Sequence, residues 1–139
     1  MTGLLRSLRS FVAAAVVAVS LAACDPAWFL LGTNDSDTTV LVRLTRPGRV
    51  EVYQLPAGFN GVVAGTIGTS IEADATILRT DCSVLDELGN LDQRVATIRI
   101  DQDLSVSVGP GEFPDDSAPF AEELRGECGS TQQPTSNQP

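Results

Sequence analysis

Histidine and lysine are both absent from the 139 residues, and much of the usual catalytic repertoire goes with them. Without imidazole there is no base to activate a serine or cysteine nucleophile and no zinc site built on histidine. Without lysine there are no serine–lysine dyads and no Schiff bases. Chemistry is left to carboxylates, hydroxyls, arginines and one tyrosine. Positive charge is scarce, with nine arginines against eighteen acids and a formal charge of −9. So acidic a chain is not expected to bind nucleic acid, whose phosphates select basic patches. Long apolar runs are missing too. The one candidate, residues 11–23, rises about 20 Å as a helix, short of the roughly 30 Å of hydrocarbon in a bilayer. No internal repeat appears at the periods of solenoids or propellers.

That short run has a meaning of its own. Arg6 and Arg9 precede it, and it closes on Leu21-Ala22-Ala23-Cys24, small residues running directly into a cysteine. Over these first 24 residues the chain resembles the lipobox signal peptides of bacterial lipoproteins. The resemblance implies a diacylglyceryl group on the Cys24 thiol, cleavage after Ala23, and in many bacteria a further acyl chain such as palmitate on the new amine. An ordinary secretory signal cut within 20–23, with Cys24 incidental, is the competing reading. Asp25 resembles the plasma-membrane retention signal of some Gram-negative lipoproteins. Arg6 and Arg9 are not adjacent, so the twin-arginine pattern is missing and the general export route is expected. The expected location is extracytoplasmic, lipid-anchored to the cell membrane.

This divides the chain into a signal peptide at 1–23, an anchor and tether at 24–33, a β domain at 34–129 and a disordered tail at 130–139. The mature part has length for one domain and one core. It holds seven arginines against all eighteen acids, a formal charge of −11. Such a surface does not adsorb to anionic headgroups by itself, so the lipid would hold it there. Assigning Cys24 to lipid leaves Cys82 and Cys128 as an even pair, expected to form a disulfide after export rather than two free thiols. The tail has no strongly apolar side chain.

The body reads as short strands. Trp28-Phe29-Leu30-Leu31 allows two readings, an opening strand packed on the domain or an aromatic contact with the membrane interface. Asn34-Asp35-Ser36-Asp37 is a turn, because short polar side chains satisfy local backbone groups. In 38–45, Val40, Val42 and Leu44 alternate with Leu41, Arg43 and Thr45, the period of a strand with one buried face. Arg46-Pro47-Gly48-Arg49 turns into 50–55, where Val50 and Val52 share a face, completing a hairpin. Residues 62–67 are glycine-interrupted, an edge or bulged strand. Residues 70–80 place Ile71, Ala73, Ala75 and Ile77 on one face and bring Cys82 near the end. Residues 83–88 fit a strand or a helical turn equally, since Val84, Leu85 and Leu88 suit either period. Ala96, Ile98 and Ile100 point inward from 94–101. After the turn Asp101-Gln102-Asp103, Leu104, Val106 and Val108 do so from 104–108. A short helical turn is expected over 117–125, stopped by Gly126. The fold class is all-β, a small antiparallel β-sandwich of six to seven short strands, with an open barrel as the alternative.

Clustered acids are the constellation to test: Asp35 with Asp37; Asp81 with Asp86, Glu87 and Asp92; Asp101 with Asp103; Asp115 with Asp116. Calcium favours such oxygens, but it needs six to eight converging ligands and no run has the EF-hand spacing. The usual fate of loop acids is solvation. A hydrolase working with two carboxylates needs no histidine, yet nothing selects a pair and short sheets leave little room for a cleft. Tyr53 reads as a strand aromatic, and Arg43, Arg79 and Arg99 as solvent-side strand residues. No catalytic, metal or cofactor residue is singled out. The expectation is a non-enzymatic, lipid-anchored binding or structural module at the cell envelope, with another envelope protein as partner. A carrier of calcium or a small ligand is the alternative and a carboxylate hydrolase a distant third.

Overall fold

A computed structural model of the chain describes residues 27–67, 73–91 and 94–131. Cys24, Asp25, Asp92 and the signal segment lie outside the described residues. The described residues form nine strands: β1 (Ala27–Asn34), β2 (Val40–Arg46), β3 (Arg49–Leu55), β4 (Asn60–Ile67), β5 (Asp74–Leu78), β6 (Val84–Asn90), β7 (Val95–Ile100), β8 (Val106–Pro110) and β9 (Glu122–Leu124). They form two sheets, ordered β4-β1-β7-β8 and β6-β5-β2-β3-β9. The inward rows Val40, Val42 and Leu44 of one sheet and Leu30, Ala96, Ile98 and Ile100 of the other are buried in a shared core. The fold is an all-β sandwich, not a closed barrel.

The segment 24–33, read as a tether, holds most of β1, so the domain starts at Ala27 rather than at residue 34. β1 is an interior strand whose inner row is buried and whose outer row, Phe29, Leu31 and Thr33, is half-buried, with Leu31 beside the chain at Gly111, so its sequence does not alternate cleanly. The sandwich is not wholly antiparallel: β1 runs parallel to β7, from Phe29 opposite Val95 to Asn34 opposite Ile100. Between those two strands the chain leaves to build the other sheet, which removes the short-connection constraint that forces antiparallel neighbours. Val108, expected inward, is 39% exposed, because β8 is an edge of its sheet and the sandwich is open there.

Residues 117–125, expected as a short helical turn, form no helix among the described residues. A helix that short is marginal in water, whereas a strand edge offers unpaired backbone groups to any extended segment. The chain takes the edges. Val62 of β4 donates to Pro119 O at 2.8 Å and accepts from Ala121 N at 2.8 Å. Three residues later β9 pairs with β3, Leu124 opposite Val52. The same segment thus seals the free edges of both sheets along one flank.

It belongs to a longer strap, residues 111–131. Gly111 lies on the outer face of the first sheet, so close that a Cβ there would stand 2.5 Å from Thr97 Oγ1 and 3.3 Å from Leu31. At the far side of that sheet a Cβ on Gly61 would strike Pro119 O. Beyond β9 the strap crosses the outer face of the second sheet, where Leu41, Val52 and Leu78 are buried beneath Leu124 and Cys128. Arg43 donates from Nη1 to Cys128 O at 3.3 Å, which makes it a strap contact rather than a solvent-side residue. Cys128 is joined to Cys82 across a sequence separation of 46. The tail expected from residue 130 is still tied at Thr131, whose backbone N–H donates to Val50 O at 3.0 Å; residues 132–139 lie outside the described part.

Candidate functional site

Strands β1, β3, β5 and β7 begin at one end of the sandwich, and β2, β4, β6 and β8 finish there. This near end lies closest in sequence to Cys24. The opposite, far end carries the β1–β2, β3–β4, β5–β6 and β7–β8 connections.

At the near end, alternation along β3 turns Glu51, Tyr53 and Leu55 into the sandwich, opposite Leu44, Val42 and Val40. Val52 therefore faces outward and is buried only because the strap covers it. Glu51 is 3% exposed. Such a carboxylate must be matched by donors. Arg49 Nε stands 2.9 Å from its Oε1 and Arg46 Nη2 3.6 Å from its Oε2. The Tyr53 hydroxyl donates to Oε2 as well. Burial, and then this hydrogen bond, push the Tyr53 phenol well above its ordinary value of 10.0. Arg46 extends from the same inner face and lies over the Trp28 ring, 6.0 Å from its centroid. Its Nε finds no hydrogen-bond acceptor among the described residues. Trp28 is buried in the core, so the opening-strand reading of 28–31 holds for this residue.

The near end also carries an aromatic pair on the outer face of the first sheet. Phe29 of β1 meets Phe113 of the strap edge-to-face, with centroids 6.0 Å apart. The Arg94 guanidinium lies 5.8 Å from the Phe113 centroid. Phe113 is 59% exposed. Sequence reading did not find this pair, because two residues 84 positions apart meet only when the strap crosses the sheet.

Far-end acids belong to turns. In β5–β6, Asp81 Oδ1 accepts from Ser83 N at 2.9 Å and from Ser83 Oγ at 2.6 Å. In β7–β8, Asp103 Oδ1 accepts from Ser105 N at 3.0 Å and Oγ at 2.6 Å. In β1–β2 the buried Asn34 does the same for Ser36, at 3.1 and 2.6 Å, while its amide donates to Thr38 O, Leu55 O and Pro56 O. The residue after each aspartate, Cys82 and Leu104, adopts a left-handed φ of 70° and 67°. The serine hydrogen bonds hold both carboxyls below their ordinary value of 3.8. The recurring signal, Asp or Asn followed two residues later by Ser, is visible in the sequence as a local turn motif.

The parallel β1–β7 pair brings Asp35 beside Asp101 and Asp103, which the sequence had grouped separately, around an open depression of about 580 Å³ also lined by Gln102 and Ser105. Among the described residues no three acids, cysteines or histidines are placed to hold a metal ion. Asp86 lies in β6 opposite Ile77 and Glu87 opposite Thr76, apart from Asp81 in the turn. Asp115 and Asp116 are exposed on the strap. Scanned against protein-family models and against curated proteins, the chain matches none.

Proposed function

We propose that this chain is a lipid-anchored extracytoplasmic β domain, held at the cell membrane through Cys24 and serving as a binding or structural module of the cell envelope. The observation that carries the reading is the lipobox-like Leu21-Ala22-Ala23-Cys24, followed within three residues by β1. A lipid on Cys24 would hold the near end of the sandwich directly at the bilayer, with no tether between. Two further observations agree with it. The Cys82–Cys128 disulfide fits an oxidising compartment. Charge also leans the same way: Arg46, Arg49 and Arg94 at the near end stand with Glu51, Asp74 and Glu112, while at the far end Asp35, Asp37, Asp81, Asp101 and Asp103 outnumber Arg79 and Arg99.

The test is made in a bacterium that processes lipoproteins. Mass spectrometry of the N-terminal peptide is expected to show a chain starting at Cys24 and carrying acyl mass. A Cys24→Ser variant is expected to move from the membrane to the soluble fraction. A native chain with unmodified Cys24, or a variant that stays on the membrane, overturns the proposal.

A further inference from the structure

We infer that the Phe29–Phe113 pair with Arg94 is a docking surface for the phospholipid bilayer itself, which fixes how the domain stands on the membrane. The inference rests on the lipid at Cys24 proposed above and adds a second, non-covalent contact. Phe29 follows Cys24 by five positions, a reach of at most about 18 Å even fully extended. A lipid-bound Cys24 therefore confines this rim of the first sheet to the headgroup region. What stands there suits that layer: an exposed aromatic ring, a second ring at its edge, and a guanidinium over its face. Phenylalanine is among the residues that interfacial segments bury at the boundary of headgroups and acyl chains, and an arginine stem lies along apolar surface with its guanidinium at the polar level. Acyl chains hold the domain at one point only, so a second contact is what sets its orientation.

The membrane contact that is one of the two readings of Trp28 and its neighbours is thus assigned to Phe113 instead. Trp28 points into the core beneath Arg46, while its neighbour Phe29 points out, and the strap supplies the exposed ring. The acids of the far end project away from the bilayer in this pose, and the charges next to Phe113 are those of Arg94 and of its chain neighbour Glu112.

The test uses the lipidated full-length chain in vesicles of phosphatidylcholine and phosphatidylglycerol, with and without brominated acyl chains, and Cys24 modification checked by mass. Buried Trp28 serves as the internal standard and its emission is expected to change little. Phe113→Trp adds a second fluorophore at an exposed site that tolerates the change, and its added emission is expected to be blue-shifted and largely lost on brominated lipid. Phe120, 72% exposed and paired with Val62 toward the far end of β4, provides the control. The added emission of Phe120→Trp is expected to stay red and unquenched. Lipidated Phe113→Trp protein whose added emission ignores bromine, or equal quenching at both positions, overturns the docking surface and leaves the anchor standing. Protection of the introduced indole in native envelopes but not in pure lipid vesicles assigns the patch to a protein and overturns the lipid reading. Unmodified Cys24 overturns both.

Discussion

The two ends of the sandwich handle negative charge in opposite ways. At the far end Asp81 and Asp103 sit in water, each bound to the serine two residues on, and their ionisation needs nothing more. At the near end Glu51 is withdrawn from water and requires two guanidinium groups and a phenol to stay there. Solvation explains the contrast: an exposed carboxylate keeps its hydration, whereas a buried one must find every replacement within the protein. The acids that cluster in the sequence are thus the ones that shape turns. The acid on which packing depends stands alone between Val50 and Val52.

Severing the connection between strap and far end has the largest expected effect. Reduction of Cys82–Cys128 releases the cover from Leu41, Val52 and Leu78, with a loss of up to about 4 kcal/mol on the chain-entropy account. Denaturant melts with and without reductant measure it, and equal midpoints would refute the clamp. Next comes a direct comparison of the ends. Glu51→Ala strands Arg46 and the Tyr53 hydroxyl and is expected to cost about 3 kcal/mol. Asn34→Ala takes the amide from Leu55 O, and from Thr38 O and Pro56 O, which keep Ser36 Oγ and Phe59 N–H, and removes the acceptor of Ser36; it is expected to cost about 2 kcal/mol. Asp81→Ala, in water, is expected to cost less than either; a larger loss at Asp81 than at Glu51 inverts the contrast.

The smallest effects come from pH, and they separate the ends by sign. Because the folded Tyr53 phenol is raised, its contribution is complete below the ordinary value of 10.0 and is lost as pH rises through the folded value. The melting temperature should fall above pH 10, with a shallower fall in Tyr53→Phe. Asp81 and Asp103 are lowered, so their contribution is present above the ordinary 3.8 and is lost as pH falls through the folded values. Replacing both with Asn should flatten the acid limb slightly and leave the alkaline limb unchanged.

How much of this was legible depended on whether one face of an element met water. β2 and β7 read cleanly, because one row enters the core and the other does not. β1 concealed itself because its outer row is apolar and half-buried as well, and β3 presented its apolar Val52 on the outer side, where only the strap makes it buried. β6 was ambiguous for a different reason. The register with β5 slips at two places, leaving Leu85 and Leu88 as extra residues, and both pack against the core. Two bulges three residues apart imitate a helical period. The glycines of 62–67 suggest an edge or a bulged strand, and β4 is both: it is an edge strand, and its register with β1 slips between Leu30 and Leu31, skipping Val63.

By itself the sequence determined the all-β class, the main turns, the pairing of Cys82 with Cys128 and the scarcity of catalytic groups, since these follow from local alternation, turn chemistry and counting. Only the tertiary structure decided that β1 lies parallel to β7, that residues 111–131 wrap the sandwich, and that Glu51 and Phe113 matter. Those outcomes are set by which strand edges and sheet faces remain uncovered once the sheets have packed, a quantity that no local window of residues contains.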